Sequence, residues 1–264
     1  MRFIVTRSWL QIALGGVTLF VLGGEAFRLT GNPNFLPSLI LLGAFVVPVS
    51  FAAYFYRQEH LLDRQVHGGI PLVQATLMFL VGGVAGTFIA GVLEYTFDQA
   101  GLLDLTGASV IEEGAKLIFP VIVFLQARYR SEADGLLFGV ATGMGFAAFE
   151  TMGYGLVSLI RSSGDFTELQ SVLVVRGLLS PLGHAAWTGL VCGAMWHYRR
   201  QGVMKLAVMT TAYFMLAVAL HALWNLAAAT RQPVITFPAT FLIGAVGLYF
   251  VFRHLRHARR AAAS

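Results

Sequence analysis

Hydrophobic positions along the chain gather into eight long blocks, at about 9–26, 35–56, 70–92, 109–126, 136–160, 170–196, 206–229 and 233–252, with short polar stretches between them. Each is close to the roughly 20 residues that a helix needs to cross a hydrocarbon core. The fourth block is the weakest, because Glu112, Glu113 and Lys116 interrupt it. The sixth is long and contains Arg176 and Ser180-Pro181. A proline has no backbone N–H to give, so a kinked or broken helix is expected there. No soluble domain or low-complexity tract divides the blocks. The pattern predicts an all-α, polytopic membrane helix bundle of about eight transmembrane helices, forming a single integral membrane domain over residues 1–264.

Composition agrees with that pattern. The chain is 57% hydrophobic and 12% charged, with a mean hydropathy of +0.72, whereas a soluble domain carries about 25% charged residues. The formal charge of +5 would point to nucleic acid in a soluble protein. Here the basic residues fall in short loops, so they read as topology signals and no nucleic-acid partner is expected. Cys192 is the one cysteine, which excludes an intrachain disulfide. Arg2 and Arg7 precede the first block and no small-residue cleavage site follows it, so a retained first helix is expected.

The basic residues orient the bundle. With eight crossings, one side receives Arg2, Arg7, Arg57, Arg64, Arg128, Arg130, Arg199, Arg200, Lys205 and the run Arg253 to Arg260, which is 13 of the 18 basic residues. The other side receives Arg28, Arg161 and Arg231, and its loop with Glu94, Asp98 and Asp104 has none. By the positive-inside rule both termini are cytoplasmic, in a multi-pass protein of the cell membrane. Removing the weak fourth crossing would place three later basic clusters outside, so the fourth block is expected to span.

The remaining polar residues define a candidate site. Glu112, Glu113, Lys116, Glu150, Arg176, His184, His221 and Asn225 lie within four successive spans, whereas His60, His67, His197, His254 and His257 fall in or beside cytoplasmic loops and ends. A charge at the centre of a bilayer helix costs about 2.5–3.5 kcal/mol on insertion scales, so such groups most economically converge on one buried site. Lys116 is three residues from Glu113 and four from Glu112, on one helical face. His221 and Asn225 share a face, as do Phe146 and Glu150. Gly135, Gly139 and Gly143 form a small-residue stripe that reads as packing, and Trp187 and Thr188 read likewise. With about 1.5 Å of rise per residue, Glu112 lies roughly 5 Å below the external boundary and Glu150 and His221 roughly 12–15 Å, so the site should open outward.

Glu112-Glu113-x-x-Lys116, then Phe146-x-x-x-Glu150, then a histidine in each of two later spans resembles the PrsW family of intramembrane proteases. That family lies in the superfamily of type II CAAX prenyl proteases, which also includes the multipass scaffold subunit of γ-secretase. The resemblance covers about residues 105–230. It implies that the glutamate pair activates water, with Glu112 at the position of the glutamate on which the prenyl proteases rely most. Their lysine position is an arginine one residue later and their Glu150 position is a histidine, while His221-x-x-x-Asn225 matches their third motif.

Peptide hydrolysis needs a base for water, donors for the oxyanion and a proton for the leaving amine. A glutamate can be the base, and His184, His221 and Asn225 can be the donors. Alternatively Glu150, His184 and His221 hold zinc with an open position for water. The chain lacks His-Glu-x-x-His, which favours the glutamate-type reading. Lys116 and Arg176 read as supporting counter-charges. The expected partners are the lipid bilayer and a membrane-protein substrate, a single-span protein cut near its external juxtamembrane segment. A proton- or cation-coupled transporter and a non-catalytic scaffold of the same fold are the alternatives.

Overall fold

The computed structural model describes residues 7–63 and 69–263. Arg2, Arg64 and His67 therefore lie outside the described residues. Among the described residues nine helices follow one another: α1 (Ser8–Thr30), α2 (Leu36–Asp63), α3 (Leu72–Gln99), α4 (Leu105–Leu125), α5 (Glu132–Arg161), α6 (Phe166–Leu179), α7 (Ala186–Tyr198), α8 (Val203–Ala229) and α9 (Pro233–Ala263). No strand occurs among the described residues. A π-helical turn interrupts α3 at Met78–Gly82, and a second, Pro181–Ala185, joins α6 to α7.

Among the described residues, α1, α2, α3, α5, α8 and α9 are long and apolar enough to cross a membrane. The two other expected crossings are α4, which holds Glu112, Glu113 and Lys116, and the broken pair α6–α7. The chain is a multi-pass membrane protein built as a polytopic helical bundle.

Short side chains set the helix starts. Asp104 accepts from the Gly107 amide at 2.5 Å ahead of α4. Ser131 and Asp134 form a reciprocal capping box on α5, and Asp165 accepts from the Thr167 amide at 2.7 Å on α6. Each satisfies amides that the first helical turn leaves unpaired. The helix α3 runs past the apolar block that ends near residue 92, to Gln99, so Glu94 lies on a helix and not in the external loop expected from hydropathy.

The centre of the bundle is α5, with 83% of its apolar window buried against 6% for α1. It touches α2, α3, α4, α6, α7 and α9. Glycine makes this possible. A Cβ on Gly135 would stand 2.6 Å from Trp196 and one on Gly139 2.7 Å from Cys192, while one on Gly143 would overlap the His184 carbonyl. The three-glycine stripe thus seats α5 against α7 and the turn before it. On another face, a Cβ on Gly83 would stand 2.5 Å from the Gly145 carbonyl carbon, so α3 and α5 meet backbone to backbone.

Candidate active site

Three charges project from one face of α4. Lys116 Nζ lies 2.7 Å from Glu113 Oε1 and 3.3 Å from Glu112 Oε2. The Lys116 and Glu113 side chains are 0% and 1% exposed, whereas Glu112 is 14% exposed. The ammonium also stands 4.3 Å from the Phe146 ring centroid, a cation–π contact that replaces part of its lost hydration. Glu113 and Lys116 therefore neutralise one another in the interior, and Glu112 alone of the three keeps appreciable exposure.

His221 is brought to the pair by α8. Its Nδ1 is 2.9 Å from Glu113 Oε1 and its Nε2 is 3.8 Å from Glu112 Oε2. An ionised carboxylate can only accept, so Nδ1 is the donor, and a neutral ring then presents its Nε2 lone pair toward Glu112. Trp187 stacks on the imidazole with centroids 4.4 Å apart and planes at 22°, which fixes its orientation. One turn on, the Asn225 amide reaches Ser109 Oγ at 3.4 Å and ties α8 to α4.

The third wall comes from α5, α6 and the π-helical turn. Arg176 Nη2 lies 2.8 Å and His184 Nε2 3.1 Å from the same oxygen, Glu150 Oε2. Neither approach has hydrogen-bond geometry, and Oε2 is buried without a hydrogen-bond partner, as are His184 Nδ1 and Arg176 Nε. The Arg176 guanidinium rests 3.9 Å from the Tyr154 ring centroid. His184 stacks against Phe146 at 5.4 Å and stands edge-on to His221 at 5.9 Å.

The structure thus gathers Glu112, Glu113, Lys116, Glu150, Arg176, His184 and His221 into one cluster, with Asn225 at its edge. One ligand atom from each of Glu112, Glu150 and His184 lies within 4.8 Å of the others. This group has Glu112 where the sequence reading had His221, whose Nδ1 lies 2.9 Å from Glu113 Oε1. Two carboxylates and an imidazole suit a divalent transition metal. His184 Nδ1, buried without a partner, is consistent with that fit.

Sequence reasoning missed two members of this neighbourhood. Glu94 has a buried Oε1 without a hydrogen-bond partner and interacts electrostatically with Glu112 and Glu150. The four-residue spacing Gly86-Ala90-Glu94, a small-residue face ending in a carboxylate, is the signal that could have found it. Trp187, read as packing, is the platform under His221.

No curated protein and no solved structure matches the chain. The sequence profile of the PrsW family of intramembrane metalloproteases matches residues 70–254, from α3 into α9, and so takes in every residue of the cluster. With most of its length and all of this site inside the match, the chain belongs to the PrsW family of intramembrane metalloproteases.

Proposed function

We propose that the chain hydrolyses a peptide bond of a membrane-protein substrate, with the attacking water held where Glu112, Glu150 and His184 converge and Glu112 accepting its proton. One observation carries this reading. Of the two adjacent carboxylates, Glu113 is enclosed by Lys116 and His221, while Glu112 retains exposure and lies beside Glu150 and His184. A scaffold would need no such retained carboxylate.

Glu112, Glu150 and His184 are the residues that would hold a divalent metal, with zinc the proposed ion. When bound, such a metal lowers the pKa of a coordinated water toward neutrality and polarises the scissile carbonyl. The chain's own groups do the rest. Glu113 holds the Nδ1–H of His221 and leaves the Nε2 lone pair facing Glu112, placed to take up the proton that Glu112 has accepted from water and hand it to the leaving amine. Lys116 balances the glutamate pair, and Arg176 anchors Glu150. Asn225 acts as a positioning residue through Ser109.

Glu150→Gln separates metal-assisted from purely glutamate-activated hydrolysis. Purified protein in liposomes with a single-span substrate is assayed for cleavage and metal content together. The metal reading expects Glu150→Gln to lose both, and a chelator to mimic it. Partial activity in a wild type that carries no metal would leave the water to Glu112 alone. Undiminished cleavage in both Glu150→Gln and His184→Ala would overturn the site.

The asymmetry of basic residues supports cytoplasmic termini and a pocket reached from the exterior, so cleavage falls near the substrate's external juxtamembrane segment. Reporter fusions after residues 104 and 165 are expected to score external. A cytoplasmic signal at either position would reverse the orientation and move the cleavage to the other side.

A further inference from the structure

Three of the histidines that sequence reading assigned to loops and ends, His197, His254 and His257, form a second constellation. Glu132 opens α5, directly after the Ser131 cap, and its side chain is 9% exposed. His197 comes from the last turn of α7, and His254 and His257 from one face of α9, three residues apart. His197 Nδ1 is 3.0 Å and His257 Nδ1 2.7 Å from Glu132 Oε2, and His254 Nδ1 contacts Oε1. The imidazoles of His197 and His257 have centroids 4.5 Å apart, and those of His197 and His254 5.9 Å.

We propose that Glu132, His197, His254 and His257 form a second site for a divalent transition metal ion, separate from the catalytic cluster. Glu132 and Glu150 are 18 residues apart on α5, which is about 27 Å at 1.5 Å per residue. All three rings turn the same nitrogen inward to one carboxylate. Imidazole and carboxylate suit Zn(II), Co(II) or Ni(II). Tetrahedral ligands at 2.0–2.1 Å from zinc stand about 3.3 Å from one another. The 2.7 and 3.0 Å separations are a little shorter, and donor atoms of Glu132, His197 and His254 all lie within 4.8 Å of one another.

Packing holds the set in place. Gly193 lies beneath His254, where a Cβ would come within 3.1 Å of the ring, and Tyr213 flanks the same ring at 5.6 Å. His257 is 56% exposed and leaves the site open at the surface of the bundle. A metal here would clamp the start of α5 to the ends of α7 and α9. The competing arrangement is a cap in which the rings donate hydrogen bonds to Glu132 and no metal binds.

The test uses full-length protein purified without a histidine tag, stripped by chelator, in a Glu112→Gln/Glu150→Gln/His184→Ala background. Those changes disable the catalytic ligands, so the result stands whatever the fate of the proposed catalytic metal. Co(II) titration, followed by its visible absorption, is expected to fill one site per chain. His257→Ala, on an exposed side chain that the fold does not need, should weaken binding at least about tenfold, and His197→Ala/His257→Ala should abolish it. Absence of Co(II) binding in the background protein, or equal binding after His197→Ala/His257→Ala, would overturn the proposal in favour of the hydrogen-bonded cap.

Discussion

Glu112→Gln is expected to lower the rate of substrate cleavage by about 10²–10⁴-fold, the usual loss when one general base is removed, with the melting temperature in detergent little changed. The substitution keeps the side-chain volume and removes the proton acceptor. The fold should withstand it because Lys116 keeps its shorter contact, 2.7 Å to Glu113, and loses only the 3.3 Å contact to Glu112. Glu112 is also the member of the pair that retains exposure. Cleavage and thermal unfolding measured on the same preparation decide the matter. Wild-type turnover by the folded variant would remove Glu112 from the chemistry.

Lys116→Met should produce the largest loss of stability. The ammonium is fully buried and is the cation shared by Glu112 and Glu113. Removing one partner of a buried ion pair costs about 3–5 kcal/mol, because the remaining charge is stranded in a low-dielectric interior. Methionine keeps most of the apolar stem beside Phe146, so the loss reports charge and not a cavity. Lys116→Met combined with Glu113→Gln should recover part of it, since the second change removes the stranded carboxylate. A single Lys116→Met variant that melts with the wild type would show that the glutamates do not depend on this counter-charge.

Hydropathy located α8 closely, 206–229 against Val203–Ala229, because its apolar run and its helix end together. It ended the third block near residue 92 because charge begins there, although the backbone stays helical until the left-handed Gly101. A carboxylate lowers the apolar score without breaking a helix, and Glu94 was lost to view for that reason. The expectation that the charged α4 crosses rested on the basic clusters of the later loops and not on its own hydropathy. Spacing placed Lys116 against its glutamates because both lie on one helix. It could show that His221 and Asn225 share a face but not what each meets, and the structure gives one to Glu113 and the other to Ser109. His197, His254 and His257 were least legible of all. They sit among basic residues at the ends of separate helices, and tertiary packing alone brings them to Glu132.

The turn at Pro181–Ala185 holds one residue more than an α-helical turn would, a feature that recurs where helices carry function. Deleting that residue would rotate α7 about its axis by about 100° relative to α6. His184 lies inside the turn, while Cys192 and His197 lie beyond it, against Gly139 and Glu132. The wide turn therefore acts as an angular reference for two distant places at once. A length change here would dephase the glycine seam and the Glu132 cluster together, whereas a length change in the loop before α8 leaves both in register.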